Sequence, residues 1–278
     1  MRKPLALSNW KMAMTVAQSW NFVREFLAAA GPLAQSVDVV ICPPYTGLYP
    51  VARAIADTPL MLGGQDVSTE PGGARTGEVS AELLADVGCQ WVMLGHWEAR
   101  RHHGDDDETV NRKLRQALAA GLRPILLVGE DKRERERALL ALQSQLVTVL
   151  DGCEADQVAQ MVFVYEPEWT IGVAEPAPTL HVDMGCRFIR GWLAAWYGEA
   201  VGQAVRVIYG GSVSLEYASD LLPIHDLDGL GATRKGRDPV IFAQLVRLIA
   251  QAKGVARGAG SGESAPSLDS WLSITPDD

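Results

Sequence analysis

The sequence predicts an α/β fold, a closed (β/α)8 barrel, on three observations. Short apolar runs alternate with longer stretches of helical periodicity from the first residues to about residue 252, the pattern of a parallel sheet covered by helices. Eight such runs occur, enough to close a barrel rather than leave an open sheet. Several end in a polar or charged residue ahead of a Gly- or Pro-marked loop, as Val162–Tyr165 ends at Glu166. A barrel of this kind carries its chemistry at the C-terminal ends of its strands.

The first predicted strand, Leu5–Ser8, runs directly into Asn9, Trp10 and Lys11, and apolar periodicity then predicts a helix over Ala17–Ala29 capped by Gly31. Strands follow at Val37–Ile41 and Leu60–Gly63. The fourth, Trp91–Leu94, delivers His96 and Glu98 and precedes a helix over Glu108–Ala120, with Gly121 as its cap. After the fifth strand, Pro124–Val128, the pattern predicts one helix over Asp131–Leu150, whose Lys132–Arg137 run reads as a solvated first turn with mixed-sign ion pairs. The sixth strand, Val162–Tyr165, ends at Glu166 and is followed by a helix over Leu180–Tyr197 and Gly198. Val205–Tyr209 leads into Gly210, Gly211 and Ser212, where consecutive backbone amides form an anion-binding nest. Leu227–Leu230 completes the set before a helix over Pro239–Ala252.

With 278 residues, 47% hydrophobic and 21% charged, the chain has the composition of a globular protein with a substantial core. Residues 1–253 read as a single barrel domain. From Gly254 the composition turns to Gly, Ser, Ala, Pro and acidic residues, so 254–278 is expected to be a flexible, disordered tail. The net charge of -9 argues against a general nucleic-acid or anionic-membrane surface, while leaving room for a local positive pocket. With neither a signal-peptide pattern nor a bilayer-length apolar run, the expected compartment is the cytoplasm. The four cysteines, Cys42, Cys89, Cys153 and Cys186, are scattered and read as buried thiols rather than a metal site.

Taken singly, Lys11 reads as a surface cation, His96 as a structural histidine and Tyr209–Ser212 as a tight turn. Together at strand ends they suit proton transfer next to a carbonyl. Glu166 would take a proton from carbon, neutral His96 would polarise the carbonyl oxygen, and Lys11 would balance the developing negative charge. Gly172 and the amides of Gly210, Gly211 and Ser212 would hold a phosphate remote from the reacting carbons. This chemistry calls for no metal and no organic cofactor.

Asn9-Trp10-Lys11, Gly64-Gln65-Asp66, Gly73–Glu78, Gly95-His96-Trp97-Glu98, Gly129-Glu130, Tyr165–Gly172 and Tyr209–Val213 occur in this order. In these motifs the chain resembles the triosephosphate isomerase family over roughly residues 4 to 252. The resemblance implies a TIM barrel, with Asn9 and Lys11 binding substrate, His96 as electrophile, Glu166 as base and Glu98 as a supporting carboxylate. It also implies a lid from Pro167 to about Ala177 and a homodimer in which the loop bearing Thr76 enters the neighbouring site.

The chain departs from the family pattern in several places. Trp97 stands where the family has Ser, and is expected to crowd Glu166 or reshape the pocket. Ala99 replaces the first of two arginines and leaves Arg100, so Arg75 is a substitute partner for Glu78. The lid's usual Thr-Gly-Lys end reads Val173-Ala174-Glu175-Pro176, and Glu168 replaces an apolar hinge residue. Thr233-Arg234 occupies the place of two phosphate-binding glycines; Arg234 would instead grip phosphate through its guanidinium, or point away.

Three functions follow. The first is cofactor-independent isomerisation of glyceraldehyde 3-phosphate and dihydroxyacetone phosphate through an enediolate. The second keeps that chemistry for a four-carbon ketose phosphate, a tetrulose phosphate. The third is a barrel that binds a phosphorylated metabolite without turning it over.

Overall fold

The computed structural model describes residues 2–255; the predicted tail lies, from residue 256 on, outside the described residues. The strands are Leu5–Asn9 (β1), Asp38–Cys42 (β2), Leu60–Gly64 (β3), Trp91–Leu94 (β4), Arg123–Val128 (β5), Val162–Tyr165 (β6), Arg206–Tyr209 (β7) and Gly229–Ala232 (β8). They pair in chain order, all parallel, and β1 closes on β8 with Leu5 opposite Gly229.

The helices are Val16–Ala30 (α1), Tyr45–Ile55 (α2), Ala81–Asp86 (α3), Trp97–His103 (α4), Asp107–Ala119 (α5), Ala138–Val149 (α6), Ala155–Val158 (α7), Thr179–Tyr197 (α8), Glu199–Ala204 (α9), Leu215–Leu221 (α10) and Pro239–Ala252 (α11). Their starts are chemically marked. Thr15 and Gln18 form a reciprocal capping box at α1, and Ser80, Asp106 and Asp238 accept the first free amides of α3, α5 and α11. Among the described residues, no helix is long and apolar enough to cross a membrane.

Strand residues alternate between two apolar layers because successive side chains point to opposite faces. Leu5, Leu7, Val40, Met93, Val164 and Ile208 fill the barrel interior, while Ala6, Val39, Ile41, Phe163 and Val207 pack outward against the helices. Each fully buried Leu- or Ile-sized side chain contributes roughly 1.5–3 kcal/mol. With both strand faces buried, the register is fixed, and so is the height at which each strand ends.

One local expectation is corrected. Lys132–Arg137 does not start a helix: a turn leads into a short 3-10 segment at Arg135–Arg137, and α6 begins at Ala138. Asp131 accepts the amides of Arg133 and Glu134, which favours a turn over a helix here. Gly31 is the C-cap of α1 as expected, its amide bonded to the Leu27 carbonyl, but with φ of -48° rather than a left-handed turn, and the chain continues as a 3-10 turn over Gly31–Gln35. Gly121 and Gly198 do take positive φ, at 76° and 98°.

Candidate active site

The C-terminal strand ends bring Asn9, Lys11, Glu98, His96 and Glu166 together around a cavity and its inner recess. At the end of β1, the Asn9 side-chain oxygen accepts the Lys11 amide at 2.9 Å, and Lys11 has φ of 52°. Ser212, after β7, has φ of 40°. Left-handed backbone at a non-glycine residue costs of order 1 kcal/mol or more, and here it coincides with the site. Gln65 supports the first loop by donating to the carbonyls of Lys11 (3.0 Å) and Cys42 (2.9 Å).

β4 and α4 place the histidine. Gly95 turns the chain with φ of 80°, and a β-carbon there would lie 2.8 Å from the Leu127 carbonyl oxygen. His96 then caps α4, its Nδ1 accepting the Glu98 amide at 3.0 Å. In a neutral ring an accepting Nδ1 puts the proton on Nε2. That atom lies 3.6 Å from Glu166 Oε2, and neither has a hydrogen-bond partner among the described residues.

Glu166 follows β6, with its amide bonded to the Val128 carbonyl at 2.8 Å. Gly129 permits this close approach, because a β-carbon at position 129 would stand 2.3 Å from the Glu166 carbonyl oxygen. Burial pushes the Glu166 carboxyl up to about 8, against the opposing pull of Lys11. Burial, reinforced by Lys11, pushes His96 down to about 4 and keeps it neutral at ordinary pH. Burial also acts to raise Glu98, but the Lys11 hydrogen bond at 2.6 Å and the Lys11 charge outweigh it and hold the carboxyl below its ordinary value.

The cavity, of about 420 Å³, is walled on one side by Lys11, Glu98 and Glu166 and covered by Ile171–Ala174. Gly210, Ser212, Val213 and Ser214 line it from β7, and Thr233, Arg234, Lys235 and Arg237 from β8. The last loop is pinned to β1 by a 2.6 Å hydrogen bond from Ser8 Oγ to the Gly236 carbonyl. Asn9 and His96 line the recess beneath.

The covering segment is tied down at several points. Tyr209 OH accepts the Ala177 amide at 2.8 Å, and Ser212 Oγ lies 2.6 Å from the Thr170 carbonyl and 2.8 Å from that of Val173. Buried Glu130 accepts from Trp169 Nε1 at 2.8 Å and Tyr165 OH at 3.0 Å, with His181 Nε2 at 2.7 Å.

Most predicted site residues therefore converge, Gly172, Thr233 and Arg234 included. Gly211 does not line the cavity; a β-carbon there would meet Thr170 Oγ1 at 2.0 Å, so it serves packing beneath the covering segment. Thr76 is exposed and lines neither the cavity nor its recess in its own chain. Arg75 reaches Glu78 at 3.6 Å, but within the same chain. Trp97 does not crowd the cavity: its Nε1 donates to the Glu166 backbone carbonyl at 3.1 Å. Sequence reasoning passed over the roles of Gln65, Trp169, His181 and Arg101. Gln65, Glu130 and Trp169 lay within recognised motifs, whereas nothing local to His181 or Arg101 points to their partners.

A family model described as triosephosphate isomerase matches residues 4–249. A triosephosphate isomerase of Chloroflexus aurantiacus is 43% identical over 231 residues, 82% of this chain and 92% of that protein. One from Symbiobacterium thermophilum is 38% identical over 255 residues, 91% of this chain and 99% of the relative. The crystal structure of triosephosphate isomerase from Bartonella henselae superimposes with a TM-score of 0.79 at 29% identity, covering 88% of this chain and 98% of that one.

Proposed function

This chain belongs to the triosephosphate isomerase family, and from that membership we infer that it interconverts dihydroxyacetone phosphate and glyceraldehyde 3-phosphate as an aldose-ketose isomerase. The observation that carries the reading is the facing buried pair, Glu166 Oε2 and His96 Nε2, with Glu166 lining both the cavity that Lys11 lines and the recess that His96 lines.

In the ketose-to-aldose direction, the Glu166 carboxylate takes a proton from the hydroxymethyl carbon. The carbonyl oxygen gains negative charge, which His96 Nε2–H stabilises by donating to it, and an enediolate forms. The neighbouring hydroxyl gives up its proton, the former carbonyl oxygen gains one, and Glu166 returns its proton to the adjacent carbon. Substrate and product have the same composition, so no oxidant or reductant enters. Burial makes Glu166 a stronger base than a solvated carboxylate, and a neutral imidazole is matched to an oxygen that becomes basic. Lys11, fixed by Glu98, supplies the compensating positive charge.

Phosphate falls to Gly172, Gly210, Ser212 and the β8 loop, where Arg234 brings a side-chain cation in place of a glycine pair. Anchoring the phosphate there turns binding energy into positioning of the carbons against Glu166. No organic cofactor or metal takes part in this scheme.

The finer parts of the reading are a homodimer and a cytoplasmic setting. Met12, 98% exposed beside Lys11, and the exposed Thr76 loop support an interface that presents the loop to a second copy. The four free, buried cysteines suit a reducing compartment. No feature of the cavity favours the four-carbon substrate, and the aimed His96–Glu166 pair speaks against mere binding. A coupled assay on the purified chain tests the function: turnover of triose phosphate that Glu166→Gln abolishes supports it, and an inactive wild-type chain refutes it.

A further inference from the structure

Three features of α4 and the segment after β6 come together. Trp97 and Arg101 lie four residues apart, on the same helical face. Trp97 Nε1 donates to the Glu166 carbonyl at 3.1 Å, and Arg101 Nε donates to Glu168 Oε1 at 2.9 Å. The second Glu168 oxygen accepts the Lys132 amide at 2.9 Å, while the Glu168 amide donates to the Glu130 carbonyl at 3.0 Å. Glu168 therefore joins α4, the loop after β5 and the start of the covering segment.

The indole is itself held in place. The Arg100 guanidinium lies 5.4 Å from the Trp97 ring centroid, and donates to the Gly95 carbonyl at 2.9 Å and to Asp107 at 2.7 Å. At the other end, the Glu166 amide is bonded to Val128. The base is thus gripped through both its amide and its carbonyl, which sets the direction in which its side chain leaves the backbone.

We propose that Trp97 and Arg101 are positioning residues that clamp the Glu166 carbonyl and the Glu168 carboxylate, holding the base toward His96 and making Pro167–Glu168 a fixed end from which the cover moves. Neither residue touches the reacting atoms. The helix that orients His96 through its own N-terminus thereby also orients Glu166, so electrophile and base are aligned from one element. Motion is left to the exposed stretch Gly172–Glu175. Burial acts to raise the Glu168 carboxyl, but the bonds from Arg101 and Lys132 outweigh it and hold the group below its ordinary value, so it is charged at neutral pH. Arg101 is 45% exposed, and an ion pair so open to water adds little to global stability. The effect of the clamp is therefore read in kinetics and local exchange.

The proposal's kinetic part rests on the isomerase reading. The test uses the full chain as Trp97→Phe, which keeps a ring without the N–H donor, and as Arg101→Gln and Arg101→Lys. Amide hydrogen exchange is followed by mass spectrometry in parallel with steady-state kinetics. The clamp predicts exchange at least severalfold faster, confined to peptides covering 130–134 and 166–177, in Trp97→Phe and Arg101→Gln. It also predicts kcat lower by about tenfold with KM within about twofold, since small misplacement of a base lowers the rate steeply. Arg101→Lys, which keeps the charge, recovers part of both effects. Wild-type exchange in both variants overturns the clamp, and so does wild-type kcat where the wild-type chain turns over. An inactive wild-type chain overturns the isomerase reading instead, and the exchange arm then decides the clamp alone.

Discussion

His96 Nε2 and Glu166 Oε2 face each other at 3.6 Å, buried and without other hydrogen-bond partners among the described residues. The pair comes from β4–α4 and from β6, elements brought together only by barrel closure. Replacing Glu166 with Gln keeps the shape and removes the base. We expect kcat to fall by roughly 10²–10⁴-fold or more, as for loss of a positioned acid-base group, with the fold unchanged by circular dichroism. A fall of less than tenfold would show that another group takes the proton.

Arg234→Ala tests the altered phosphate anchor. If the guanidinium holds phosphate, KM rises roughly tenfold or more, as expected for losing a charge-assisted hydrogen bond, and inhibition by inorganic phosphate weakens in parallel. Lys235→Ala should have the smaller effect. Unchanged KM and phosphate inhibition in Arg234→Ala would mean that the side chain points to solvent.

Tyr209→Phe tests the tie to the cover. It leaves the buried Ala177 amide without its partner whenever the cover is down, at a cost of roughly 1–3 kcal/mol. Severalfold higher KM and lower kcat are expected, with faster amide exchange over 171–177 and little change in Tm. Kinetics identical to wild type would show that this hydrogen bond does not hold the cover in turnover.

Glu166 also makes a pH-dependent contribution to stability. Its folded value, about 8, lies above the ordinary 4.5 because of burial, so between those limits the folded chain holds the proton more tightly than the unfolded one. The contribution is fully present below pH 4.5 and is lost as pH rises toward 8. His96, lowered from 6.5 to about 4, works oppositely: its contribution is lost as pH falls through that interval. Glu166→Gln removes only the first effect. Denaturant unfolding should therefore find the variant gaining on wild type from about pH 4.5 to 8 and level above, and a pH-independent difference would contradict the assigned shift.

The eight strands were legible to within two residues because their apolar runs are short, separated and bounded by turn residues. Periodicity also marked α1, α5, α8 and α11. It missed α3, α4, α7, α9 and α10, which span only 4 to 7 residues and are too short to show a repeat. α2 was missed as well; it carries Pro50 within it, a residue that reads as a break. The site was legible where chemistry sits at a strand end, at Asn9, Lys11, His96 and Glu166. Trp97 was read only as bulk beside Glu166 because its size is local information, whereas the carbonyl its N–H meets is 69 residues away in sequence. For the same reason the partnership of Arg101 and Glu168 appears only in the folded chain.

The central claim is proton transfer at carbon by Glu166, and isomerisation of dihydroxyacetone phosphate in D2O, followed by NMR, tests it most directly. The account predicts isomerisation by the wild-type chain, with deuterium at the carbon-bound position of product wherever the proton held on Glu166 exchanges with solvent before its return, and both rates lower by roughly 10²-fold or more with Glu166→Gln. Undiminished isomerisation or undiminished labelling by Glu166→Gln would contradict it.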